Sequence, residues 1–406
     1  METGRFACYR RAVFHVSKPT VARARAMLGA MRNLRAGLLA LSPLALLAFA
    51  AACGGGDDAP GSTATAVPAA SATTAGGQPA QPPAALGNAT SLPQCGEPGQ
   101  SPKATNFPPS SDPAKAIPPE QRDTVNAVVA GADFYVGANN FVFGLTDKQD
   151  QPQGQAKTRI TFYDLRTAGN AKPVCQAEAL QGAPGIGPKT DVTHGNGEVH
   201  THGGEDDDRV GYFVRVNFTY AGFWGMVVEA ELKDGTKGVS AVQFPVLEKS
   251  GIPAAGSAAI KSDNLTKKDV SNIREIDSGT PANDMHDVKI KDAIAKGRPL
   301  VVVFSTPAFC TSRFCGPVNE EVETLQATYK GSVDFVHIEI WRDFAKQQLN
   351  PTAREWLVRK DGGLSEPYIY VIGKDGVIYD RFEGPVAANI MDAPVKAVSE
   401  GRVYAK

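Results

Sequence analysis

Two cysteines five positions apart, Cys310 and Cys315, follow the apolar run Leu300–Phe304 and precede Gly316 and Pro317. A thiolate attacks disulfides, and a second thiol within reach expels the mixed disulfide formed on the first. Such chemistry needs a cysteine just past a buried strand at the start of a helix, where unpaired N–H groups and the helix dipole favour the thiolate. Positions five apart on a helix are ~140° out of phase, so both cysteines cannot lie in regular helix and still bond. Pro317 favours a helix start at or just before it, which leaves 311–314 as a loop closing the disulfide. Arg313 lies between the thiols, either as a charge that favours the thiolate or as a solvated loop arginine.

A second candidate is the loop holding His194, His200 and His202, three of the six histidines in the chain, with Glu198, Glu205 and Asp206–Asp208 around them. Imidazole suits copper and zinc, so the loop is a candidate metal site; the competing reading is a polar, solvated hairpin tip. His200 and His202 share a face if the segment is extended, leaving His194 to return across the glycines. His15, His286 and His337 sit singly in the sequence and are expected to have no metal role.

The elements around these residues occupy an exported chain. Arg32 and Arg35, the apolar run from Leu38 to Ala52 and then Cys53 form a secretory signal followed by a lipidation site. The run is shorter than the ~20 apolar residues of a comfortable membrane span. Lipidation of Cys53 anchors the mature chain outside the cytoplasm at the cell membrane; simple cleavage after Ala50-Ala51-Ala52 and secretion is the alternative. Residues 1–52 are thus leader and signal peptide. Residues 53–120, rich in Ala, Pro, Gly, Ser and Thr, cannot bury enough apolar surface to fold and are expected to be a disordered tether. Lys+Arg (42) balance Asp+Glu (43), so composition gives no reason to expect nucleic acid as a partner. Disulfides persist outside the cytoplasm. With Cys310 and Cys315 close together, Cys95 and Cys175 are left either to bridge a long loop or to stand apart.

Residues 121–250 contain seven short β-rich runs, several alternating in polarity, with Lys233–Thr236 as a hairpin signal. They predict an all-β, immunoglobulin-like sandwich. Residues 251–280 read as a linker holding one strand or turn. Between 281 and 406 the pattern changes to strands alternating with helices, then a hairpin and a final helix, which predicts an α/β layer.

In this order the segment from Leu300 to Pro317 resembles the strand, active-site loop and helix of the thioredoxin superfamily. A second stretch, Ser365–Gly384, resembles the family's cis-proline strand and hairpin, with Pro367 as the cis-proline. The resemblance covers about 120 residues and implies a thioredoxin-like domain with an atypical pair, since four residues separate the cysteines where thioredoxins have two. It gives Cys310, six positions after Phe304, the attacking role and Cys315 the resolving one. The rival assignment has Cys315 attack, because Cys315-Gly316-Pro317-Val318 is similar to the thioredoxin motif with its last cysteine lost. The implied function is a membrane-tethered thiol–disulfide oxidoreductase acting on thiols and disulfides of exported proteins, with no cofactor required. Two alternatives remain open: a copper-binding or copper-delivery lipoprotein of the Sco type, using the cysteines and the histidine loop, and a thioredoxin-fold peroxidase. Sco proteins carry a histidine late in the domain, whereas none follows His337 here.

Overall fold

The structure is a computed structural model and describes residues 92–95, 124–166, 171–182, 190–193, 199–202, 210–310 and 314–405. The signal segment 1–52, Cys53, His194 and Arg313 lie outside the described residues, as does most of 53–120. Within that last stretch, β1 (Gln94–Cys95) pairs in parallel with β9 (Gly211–Phe218), and Cys95 is disulfide-bonded to Cys175.

The β-rich region forms two sheets around one core. The first holds β1, β2 (Asn126–Val129), β3 (Gly137–Thr146), β6 (Leu180–Gly182) and β9. The second holds β4 (Lys157–Asp164), β5 (Lys172–Ala177), β10 (Gly222–Glu231) and β11 (Lys237–Val246) in the order β11-β10-β4-β5. Between β6 and β9 lies a separate hairpin of β7 (Thr190–Thr193) and β8 (Val199–His202). Period-two alternation sends Phe141, Phe143, Tyr212, Val214, Val216 and Phe218 of the first sheet into the shared core. Ile160, Phe162, Trp224, Met226, Val228 and Phe244 meet them from the second. The Cys95–Cys175 bond joins the two sheets, with both sulfur-bearing residues buried. On the opposite face of the first sheet, Val142 and Phe213 are also fully buried, because the following α/β unit covers them.

That unit has a sheet of order β13-β12-β16-β17, made of β12 (Leu300–Ser305), β13 (Asp334–Glu339), β16 (Tyr368–Ile372) and β17 (Ile378–Glu383). Strands β12 and β13 are parallel, and the other two pairings are antiparallel. Every residue of β12 is buried, as expected of a central strand covered on both faces. Val301 and Val303 face α2 (Cys315–Tyr329) and α4 (Ala388–Ser399). Leu300, Val302 and Phe304 face α1 (Ile290–Ala295) and α3 (Pro351–Leu357), where Trp356 fills the core. A short hairpin of β14 (Trp341–Asp343) and β15 (Gln348–Leu349) follows β13. The turn joining β16 to β17 passes through Gly376 at φ 72, a conformation that favours glycine.

Residues 251–280 pack along the α/β unit. Ile252 and Ala259 enter its core, Ala258 bridges to Val377, and Trp356 Nε1 donates to Ser262 Oγ at 3.0 Å. One buried and one partly buried ionic contact tie the β sheets to the α/β unit. Arg381 on β17 donates to the Asp133 carboxylate at 2.8 Å and to its carbonyl at 3.0 Å. Arg215 on β9 donates to Asp380 at 2.8 Å, and Asn140 on β3 also donates to Asp380 at 2.9 Å.

Candidate redox site

Strand β12 ends at Ser305, and the chain turns at once: Phe309 N–H donates to the Thr306 carbonyl at 3.1 Å, and Ala308 N–H to Ser278 Oγ at 3.1 Å. This delivers Cys310 half-buried at the surface and disulfide-bonded to Cys315, which is fully buried as the first residue of α2. Their Cα atoms are 5.9 Å apart. The helix has no side-chain cap at Phe314; instead, the Cys315 N–H donates to Cys310 Sγ at 3.3 Å. Pro317 spends the third helical position on a residue with no N–H to satisfy. The sulfur thus takes the place of a capping oxygen at the positive end of the helix dipole. As the spacing predicts, Cys310 lies outside the helix.

Opposite this tip, the Glu366–Pro367 peptide bond is cis and leads into β16. The carboxylate of Glu366 and the sulfurs of Cys310 and Cys315 all lie within 4.8 Å of one another. On the exposed side, Phe309 is 41% exposed and stacks on Phe344, with centroids 4.7 Å apart at 7°; Trp341 meets Phe344 edge-on at 5.5 Å. The hairpin β14–β15 thereby places an aromatic ledge beside the half-exposed cysteine. A cavity of about 320 Å³ opens on another side, lined by Pro281, Asn283, Pro307, Gly316, Asn319 and Glu323 among others.

His286 and His337, which sit singly in the sequence, meet in the fold. Their ring centroids are 5.1 Å apart, and both reach buried Asp277: His286 Nε2 at 2.9 Å and His337 Nδ1 at 3.6 Å. The reason is tertiary: His337 N–H on β13 donates to the Met285 carbonyl at 2.8 Å, so the 283–286 segment runs beside that strand. Burial opposes ionisation of Asp277, but the His337 and His286 imidazoles outweigh it and hold its carboxyl far below the usual carboxylate range. Burial pushes His286 down from its ordinary value; His337 feels the same burial, yet the Asp277 and Glu339 carboxylates lift it above. The cluster connects to the redox helix: Ser305 Oγ lies 2.9 Å from His337 Nε2 and donates to Asn319 Oδ1, one helical turn beyond Cys315.

The histidine-loop residues are placed elsewhere. His200 and His202 are alternate residues of β8, in register with Val192 and Thr190 of β7; His194 lies outside the described residues. Sequence reasoning passed over Glu366 and Asp277 as site residues. The position directly before Pro367 was an available signal for Glu366. Asp277 had none, since only the packing of 277–286 against β13 brings it to the imidazoles.

No family model matches the chain, and no curated protein matches it. Among solved structures, it is similar to a thiol:disulfide interchange protein, a thioredoxin family protein from Chlorobium tepidum TLS. That similarity runs at 16% identity over 36% of this chain and 98% of the other, with a TM-score of 0.24.

Proposed function

We infer that the chain is a thioredoxin-like thiol–disulfide oxidoreductase in which Cys310 attacks and Cys315 resolves. One observation carries the reading: a half-exposed sulfur bonded to a fully buried one, with the exposed sulfur accepting the first amide of a helix. In the reduced form, the Cys310 thiolate attacks one sulfur of a partner disulfide, and the partner's other sulfur leaves as a thiolate. Cys315 then gives up its proton and attacks Cys310 Sγ, releasing the second partner sulfur. The enzyme dithiol becomes a disulfide and the partner disulfide a dithiol; the same steps run backward oxidise a partner. Glu366, within reach of both sulfurs, is the group that takes the Cys315 proton. Pro367, cis, is the residue through which the chain brings that carboxylate to the pair.

Further support for the thioredoxin-like assignment is the element order, with a four-stranded sheet whose central strand runs straight into the cysteine loop. The immunoglobulin-like assignment for the β unit is supported by its two sheets sharing one aromatic core. The signal-like run ending at Cys53 supports a lipid-anchored, extracytoplasmic location, with exported protein thiols and disulfides as partners. Copper or zinc at His194, His200 and His202 is supported only by residue type.

The test is trapping. With a small disulfide-bonded peptide, Cys315→Ser is expected to accumulate a mixed disulfide through Cys310, whereas Cys310→Ser is not. Mixed disulfide through Cys315 in the Cys310→Ser protein would exchange the two roles, and no adduct in either would end the oxidoreductase reading.

A further inference from the structure

Among the described residues, one group of metal-ligating side chains lies outside the thiol chemistry. We propose that Asp277, His286 and His337 form a binding site for one divalent transition-metal ion, zinc being the ion best suited to two imidazoles and a carboxylate. The site stands independently of the redox reading. All three side chains are buried, at 0%, 3% and 2% exposure, and one ligand atom from each lies within 4.8 Å of the other two.

A bound cation takes the place of two hydrogen bonds. Asn283 Oδ1 accepts from Met285 N–H at 3.0 Å, so the Asn283 amide turns its NH₂ toward His337 Nδ1, 2.8 Å away. His337 Nδ1 is therefore an acceptor whose one lone pair receives that amide, with Asp277 Oδ2 3.6 Å away, and an ion bound between them takes the place of the Asn283 hydrogen bond. Ligands ~2.0–2.2 Å from a tetrahedral ion stand roughly 3.3–3.6 Å apart, which the His337 Nδ1–Asp277 Oδ2 pair matches. The 2.9 Å contact of His286 Nε2 with Asp277 opens when the ion replaces its proton, and His286 Nδ1, buried without a partner, is free to hold that proton instead.

The surroundings suit a ligand set. Asp277 Oδ1 accepts from Gly279 N–H at 2.7 Å, fixing the carboxylate, while His337 Nε2 meets Ser305 Oγ at 2.9 Å, fixing the ring. Glu339 adds a second buried carboxylate, with Oε2 accepting from Ser278 N–H at 2.9 Å and Oε1 unpartnered. Asn283 and Asn319, both in contact with His337, also line the cavity of about 320 Å³, which gives an entry path and room for water as a fourth ligand.

The test uses the full chain carrying His194→Ala, His200→Ala, His202→Ala, Cys310→Ser and Cys315→Ser, so that the other candidate ligands are gone. This protein is expected to retain one zinc per chain after dialysis. With Co(II) it should show the strong visible bands of four-coordination and no thiolate-to-metal charge transfer. Adding Asp277→Asn or His286→Gln should weaken zinc binding by more than the ~10–100-fold that loss of a supporting hydrogen bond costs. Absence of bound zinc, a weak six-coordinate Co(II) spectrum, or undiminished affinity in folded Asp277→Asn and His286→Gln proteins would overturn the site. If either added substitution prevents folding, the Co(II) spectrum of the folded parent decides alone.

Discussion

Asp133→Ala removes the carboxylate that holds the Arg381 guanidinium between the β sheets and the α/β unit. Asp133 is 3% exposed and Arg381 7%, so the cation left behind stays out of water. Arg381 keeps three acceptors: the Asp133 carbonyl at 3.0 Å, Ser250 Oγ at 2.9 Å and the Pro253 carbonyl at 2.9 Å. The Asp133 carboxylate also takes hydrogen bonds from Ser250 Oγ and, at 2.8 Å, from Gly251 N–H; the substitution leaves the Gly251 donor unanswered, while the Ser250 hydroxyl keeps the Ile252 carbonyl at 2.6 Å. Breaking one side of a buried pair costs about 3–5 kcal/mol, a large share of the ~5–15 kcal/mol that stabilises a folded domain. The loss falls at the junction, so we expect denaturant unfolding to split into two transitions, with the α/β unit following the second. The Asp133→Ala, Arg381→Met double variant should recover at least half of the loss, because no unpaired charge then remains. Probes for the two units are available in Trp224 and Trp356, one buried in each core. A midpoint and slope unchanged in Asp133→Ala would refute the claim that this ion pair couples the units.

Three further outcomes are expected. Replacing Cys95 and Cys175 by Ala opens a loop of 80 residues; loop-closure entropy sets an upper figure of about 4.5 kcal/mol, and a loss of ~2–4 kcal/mol in urea unfolding is expected, whereas no loss would show that the bond constrains nothing. Phe309→Ala removes half of the exposed aromatic stack, so KM for an aromatic disulfide peptide should rise about 2–10-fold, as for an aromatic pair worth ~0.5–1.5 kcal/mol, while kcat holds. Burial pushes the Tyr220 phenol up to about 12. Its contribution to stability is therefore whole below pH ~10, the phenol's ordinary value, and fades as pH rises through about 12; Tyr220→Phe should abolish that portion of the alkaline transition and one late step of the tyrosine absorbance titration.

Much of the scaffold was legible because its signals are local. The alternation of Tyr212, Val214, Val216 and Phe218 placed β9, and Lys374-Asp375-Gly376 marked the β16–β17 turn. The continuous run Leu300–Ser305 marked a strand buried on both faces. The double burial of β3 and β9 was not legible, since Val142 and Phe213 are covered by elements more than a hundred residues away. Cys310 and Cys315 were found by spacing. The approach of Glu366 to them depends on a strand pairing between β12 and β16 that brings together segments far apart in the chain. The same limit hid Asp277 from His337: each residue looks ordinary in its own stretch, and only three-dimensional closure gives them a common purpose.

The contact between the Cys315 amide and Cys310 Sγ also ties the order of a helix to an oxidation number. Because the Phe314 side chain offers no oxygen, whatever is attached to that sulfur decides how well the Cys315 amide at the start of α2 is held. A thiolate, as the stronger acceptor, grips the turn; a bulky adduct blunts it. Amide exchange at Cys315 and Gly316 should then report the chemical state of the sulfur, giving the molecule a built-in gauge that can be read without touching the substrate.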